Sequence, residues 1–244
     1  MRRFLACPMV CLLLLAGCGG PDGPRTITVF ATSSLTEVFG ELGAVYQRTR
    51  PGTRVRFVFA GSQELVRRLD DRRPVDVLAT ADADSMRAAG DHVPRSRVIA
   101  RTGLTIAVAP GNPERIRGLA DLAHPRLRVV LGAPSIPIGR YSRRALVTAG
   151  VTVRPASEEI SARSVLTRVR TGEADAGIVY ITDLRSAGAA ADHVPIPADQ
   201  NVTAAYRAGA VQDSAQQEAG AAFAGWLTSK TAQAVFRRHG FTVP

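Results

Sequence analysis

Four times along this chain a short strand-like run ends on small or hydroxyl-bearing residues and passes directly into a helical pattern. Thr26 to Phe30 is β-branched and aromatic, and Ala31-Thr32-Ser33-Ser34 follows it. Leu35, Val38, Phe39, Leu42 and Val45 then recur at three- and four-residue spacing, which predicts a helix from Leu35 to Gln47. Ser33 or Ser34 is its natural N-cap, and Glu37 completes a capping-box pattern with Ser34. Arg54 to Phe59 reads as the second strand, closing on Ala60-Gly61-Ser62 before a helix from about Gln63 to Asp71, and Val75 to Thr80 reads as the third. The rhythm restarts with a long apolar strand from Gly103 to Pro110, a short helix at Gly118 to Ala123 and a strand from Arg128 to Gly132. Pro137-Ile138-Gly139 opens a helix through Tyr141, Ala145 and Leu146, and Ile160-Ser161-Ala162 opens another carrying Val165, Leu166 and Val169. Ala176 to Tyr180 reads as a buried strand, followed by a strand near Val202 to Val211 and helices at Ala215 to Leu227 and Ser229 to His239. Strand, polar turn and helix in repetition specify an α/β architecture with parallel sheets, whose ligands bind at the carboxyl ends of the strands.

A helix start presents unpaired N–H groups and the positive end of the backbone dipole, so such turns attract anions without any formal charge. One serine before a helix is an ordinary cap. Four such junctions at the carboxyl ends of strands point to an anion site.

Other chemistries find little support. Cys7, Cys11 and Cys18 all lie in or at the edge of an N-terminal leader, which leaves the remaining chain without a disulfide, thiolate metal site or cysteine nucleophile. His92, His124, His193 and His239 are widely spaced and read as surface residues. Asp70-Asp71 and Glu158-Glu159 read as solvated pairs, while Asp76, Asp82 and Asp84 flank a strand end without the partners that a metal or glycosidase site needs. Basic residues outnumber acidic ones 31 to 21, but they are scattered, Lys230 is the only lysine, and no aromatic-interleaved basic patch favours nucleic acid. The arginines read as surface groups that steer anions.

Met1-Arg2-Arg3 precedes an apolar run from Phe4 to Ala16, which has the form of a secretory signal. Leu15-Ala16-Gly17-Cys18 resembles a bacterial lipobox, implying a signal peptide over 1–17, acylation of Cys18 and a Gly/Pro tether over 18–25; ordinary secretion with cleavage near the same place is the alternative. Either way the protein is expected outside the cytoplasm, lipid-anchored to the cell membrane in the first case.

Ile27-Thr28-Val29-Phe30-Ala31 with Ser34-Leu35-Thr36, Phe59-Ala60-Gly61-Ser62, Ala81-Asp82, Pro137 to Tyr141, Gly172 to Tyr180 and Phe236 to Phe241 occur in an order that resembles the molybdate-binding proteins of ABC transporters. The resemblance runs from Thr26 to Pro244 and implies a type II two-lobed binding-protein fold, each lobe a mainly parallel sheet flanked by helices. Lobe one would comprise 25–102 plus 204–244, and lobe two 103–203. It implies molybdate or tungstate as ligand, no cofactor, no enzymatic activity, an ABC permease as partner and a monomeric chain. Carried over, Ser34 and Ser62 would donate hydroxyl and backbone N–H, Ile138 and Ala162 would each donate a backbone N–H, and Tyr180 would complete the molybdate shell with its hydroxyl. Ser33 stands as a possible additional donor, and Ser161 and Arg163 as alternatives to Ala162. Thr32-Ser33 and Gln63 depart from the family pattern. Sulfate is the alternative oxyanion, a hydrolase using Ser34 or Ser62 is the alternative enzyme, and a lobe pair binding a protein partner is a third reading.

Overall fold

The computed structural model describes residues 24–244. The expected signal peptide over 1–17, Cys18 and nearly all of the expected tether over 18–25 lie outside the described residues. Two five-stranded sheets form the molecule. The first contains β1 (Arg25–Thr32), β2 (Thr53–Ala60), β3 (Val77–Thr80), β4 (Arg97–Thr102) and β10 (Ala204–Ala210), in the order β2-β1-β3-β10-β4. The second contains β5 (Leu104–Val108), β6 (Val129–Gly132), β7 (Ser157–Glu159), β8 (Ala176–Tyr180) and β9 (Asp192–Pro195), in the order β7-β6-β8-β5-β9. In each sheet the strand that has just crossed from the other half, β10 or β5, runs against both neighbours. The remaining four point one way, which meets the expectation of mainly parallel sheets. The chain passes from the first sheet to the second through Gly103 and returns before Ala204.

Both faces of each sheet are covered. In β1, Ile27, Val29 and Ala31 face one core, shared with Phe39 and Leu42 of α1 (Thr36–Thr49), Phe223 of α7 (Gln217–Trp226) and Phe236 of α8 (Lys230–Arg238). Phe30 faces the other, among Leu65 and Leu69 of α2 (Ser62–Asp70) and Met86 of α3 (Ala83–Ala88). In the second sheet, Leu131 and Ile178 lie with Ala145 and Leu146 of α4 (Pro137–Thr148), whereas Val130 and Val179 lie with Val165 and Val169 of α5 (Ala162–Arg170). Strands covered on both sides are apolar at nearly every position, and β1 is buried from Ile27 to Thr32.

Several local expectations are corrected. The long strand expected from Gly103 to Pro110 is β5 alone, and β4, which the sequence reading did not foresee, lies before it in the other sheet. Its arginines, Arg97 and Arg101, mask an element that pairs with β10. The edge strands β7 and β9 are short and polar, and α3 and α6 (Ile181–Ala187) are too short to show periodicity. The segment Leu119–Ala123 is a 3-10 turn. Val75 and Asp76 precede β3, and the Asp76 carboxylate accepts the Thr28 N–H at 2.6 Å. Glu159 is not solvated but pairs with Arg168 at 2.9 Å, and His92 and His239 are half-buried beside Asp70 and Glu41.

Candidate functional site

The four strand-to-helix junctions meet between the two sheets around one small cavity, walled by Ser33, Ser34, Gly61 and Ser62 from the first half and Pro137, Ile138, Ser161, Ala162 and Tyr180 from the second. Every oxyanion-binding position expected from the sequence therefore borders the same space.

Each junction delivers its backbone in a distinct way. Ser33–Leu35 forms a 3-10 turn ahead of α1, so Ser34 sits one residue inside a helical start. The expected capping box is absent: neither serine caps α1, and Glu37 instead pairs with Arg163 from the opposite half. Ser62 is the first residue of α2, after an extended Gly61. Pro137 occupies the first turn of α4 and has no N–H, leaving Ile138 the first donor there. Gly139 permits this placement, because a Cβ there would lie 1.9 Å from the Ala133 carbonyl oxygen. Ala162 opens α5; Ser161 is its N-cap, and its Oγ accepts the Ser164 N–H at 3.0 Å, which commits the Ser161 hydroxyl to the helix. The first N–H groups of a helix have no acceptor within it, so four starts aimed at one cavity make a positive, donor-rich space.

The side chains add hydroxyls. Ser34 Oγ accepts the Tyr206 hydroxyl at 3.1 Å, and Ser62 Oγ accepts the Ala81 N–H at 3.3 Å. Each serine thus uses a lone pair on the protein and keeps its own proton for another acceptor. Tyr180 is 1% exposed, meets Tyr206 edge-to-face at 5.8 Å, and its hydroxyl has no hydrogen-bond partner. Burial holds both phenols well above their ordinary pKa, so they stay protonated and able to donate. Neither histidine, carboxylate nor any other charged side chain walls the cavity among the described residues. The serines accordingly lack the adjacent base that a hydrolase would require. Of the acidic residues noted in the sequence, Asp76 ties β1 to the turn before β3, Asp84 pairs with Arg87, and Asp82 caps α3.

Two side chains assigned no role at the site from the sequence line the wider groove outside this cavity. Gln63 Nε2 donates to the Ser135 carbonyl at 2.6 Å, and Arg140 Nε donates to Asp82 Oδ2 at 3.0 Å, both across the space between halves. Arg140 is quoted in the sequence motif but was read there only as one surface arginine among many; no local pattern reveals a partner 58 residues away.

The profile of the bacterial extracellular solute-binding protein family matches residues 27–242. A molybdate-binding protein of Mycobacterium tuberculosis is 35% identical over 229 residues, covering 93% of this chain and 88% of that protein. Among solved structures, the periplasmic molybdate-binding protein of Azotobacter vinelandii superposes with a TM-score of 0.75 at 19% identity, over 89% of this chain and 99% of the other. The sulfate-binding protein SubI of Mycobacterium tuberculosis superposes at 0.78 with 18% identity, over 89% of this chain and 86% of the other. At such identities the two structures establish the fold.

Proposed function

The chain belongs to the bacterial extracellular solute-binding proteins, and from that premise we propose that it captures molybdate, with tungstate as a second substrate, and delivers it to an ABC transporter permease. The ligand shell comprises the hydroxyls and N–H groups of Ser34 and Ser62, the N–H groups of Ile138 and Ala162, and the Tyr180 hydroxyl, with Ser33 at its margin. Residues 25–102 with 204–244 form one lobe and 103–203 the other, and the protein works as a monomer. Residues 1–17 are a lipoprotein signal and Cys18 carries the membrane anchor; membrane fractionation of Cys18→Ala tests this, and a variant that stays membrane-bound would refute it.

The observation that carries the reading is the buried, unpartnered Tyr180 hydroxyl at a cavity walled by donors. Molybdate is a tetrahedral dianion near neutral pH whose oxygens only accept hydrogen bonds. Charge-assisted hydrogen bonds contribute about 1.5–3 kcal/mol each. Five to seven would offset desolvation and lobe closure and leave micromolar affinity, about −8 kcal/mol. Monohydrogen phosphate brings a proton of its own, and a cavity walled by no carboxylate pairs that proton poorly, at a cost of roughly 1–3 kcal/mol. The name of the 35% identical relative supports molybdate over sulfate.

Calorimetric titration of the leaderless protein with molybdate, tungstate, sulfate and phosphate tests the reading. Molybdate and tungstate should bind at micromolar concentration or below, and phosphate should give no heat. Heat from sulfate alone would overturn the assignment.

A further inference from the structure

Asp82 belongs to the half built on the first sheet, and its side chain is 5% exposed. One carboxylate oxygen is satisfied within that half, where Oδ1 accepts the Ser85 N–H at the start of α3, at 2.9 Å. The other oxygen is met from the opposite half: Arg140, in the first turn of α4, reaches Asp82 Oδ2 through Nε at 3.0 Å and again through Nη2. The same guanidinium donates to Ser85 Oγ at 3.2 Å and to the Ser135 carbonyl of its own half. Gln63 reaches that carbonyl from the first half at 2.6 Å, and Ser85 Oγ at 3.2 Å. Arg140, Asp82, Ser85, Gln63 and Ser135 thus close a ring of polar contacts spanning both halves.

Arg140 does not wall the oxyanion cavity; it lines the wider groove outside it. Its position matters in two ways. Two residues before it, Ile138 offers its backbone N–H to the cavity, so whatever fixes the first turn of α4 against the first half also fixes that donor. Asp82 follows Ala81, a cavity-wall residue, and an unneutralised carboxylate there would repel a dianion. Parting of the halves would separate the guanidinium from Asp82, so the contact favours the arrangement in which the halves meet.

Resting on the reading of the cavity as a molybdate site, we propose that Arg140 is a positioning residue for oxyanion capture: it clasps the two halves through Asp82, neutralises that carboxylate and slows release of the bound anion without touching it. The clasp is a half-buried, multiply bonded ion pair, and its loss should weaken molybdate binding about tenfold.

The test measures molybdate association and dissociation rates, together with ligand-free thermal unfolding, for the unaltered protein, Arg140→Gln, Asp82→Asn and the double variant. Asparagine still caps α3 while losing the charge, so Asp82→Asn cuts the clasp from the other side if Arg140→Gln fails to fold. Arg140→Gln should dissociate molybdate about tenfold faster with ligand-free unfolding unchanged; Asp82→Asn, which cuts the clasp without leaving a bare carboxylate, should speed release by a smaller factor; and the double variant should be no worse than Arg140→Gln. Unchanged dissociation rates, or fully additive losses, would overturn the clasp. Absence of molybdate binding by the unaltered protein would instead sink the molybdate reading, which separates the two failures.

Discussion

Tyr180 shows how much a single hydroxyl can carry. Folding removes it from water and gives it no partner, which costs about 1–3 kcal/mol for a buried polar group. Replacing it with phenylalanine deletes the unsatisfied group and keeps the ring against Tyr206. Tyr180→Phe should therefore unfold no more easily than the parent without ligand, and bind molybdate roughly 10–100-fold more weakly. Thermal unfolding and calorimetry check the two halves of that expectation; a variant that loses stability but keeps affinity would make the hydroxyl structural. That Tyr180, Ser34 and Ser62 border one cavity was legible in the sequence because each sits where a strand ends. Gln63 and Arg140 were not, because what defines them is a partner on the other half of the molecule.

At the scale of elements, the start of α2 is shaped by its neighbour across the cavity. Gly61 adopts an extended conformation with φ of −65°, open to any residue, so its glycine is not explained by backbone freedom. A Cβ there would lie 2.9 Å from the carbonyl oxygen of Ile160, which precedes α5 in the opposite half. Backbone oxygens do not swing aside as side-chain ends do. Gly61→Ala should fold normally without ligand but hold α2 and α5 apart, weakening molybdate binding; small-angle scattering should show a smaller compaction on adding ligand than in the parent. Full compaction with parental affinity would show that the two helix starts are free to adjust. The longer helices were readable from periodicity, and β1 from its β-branched, aromatic run. The cap of α1 was misread because Ser34 faces Tyr206 and Glu37 faces Arg163, both tertiary partners that override the local pattern. The division between β4 and β5 was hidden for a related reason: Gly103 marks a crossing between sheets, not a strand start.

For the whole molecule, the interior also holds a carboxyl group that shapes its pH response. Asp183, in the first turn of α6, is pushed up to about 7 by burial, with Glu37 adding to the rise and Arg163 and the Tyr180 backbone N–H opposing it. The folded protein thus holds this proton more tightly than the unfolded chain, whose aspartates titrate near pH 4. Its contribution to stability is complete below about pH 4 and is lost as pH climbs towards 7. Asp183→Asn should flatten the decline of the unfolding temperature across that interval, as read by calorimetric scans at stepped pH. A parallel decline in both proteins would assign the slope to other groups.

The first sheet holds both β1, at the amino-terminal end of the described chain, and β10, after which the chain runs into α7 and α8. With Cys18 acylated, the seven residues from it to Arg25 reach at most about 25 Å from the bilayer. Such a leash would be fastened to one jaw only, with the other hanging from the two crossings of the chain. On the proposed function, loading would move the untethered jaw, and a membrane-embedded receiver would sense cargo by where that jaw had swung.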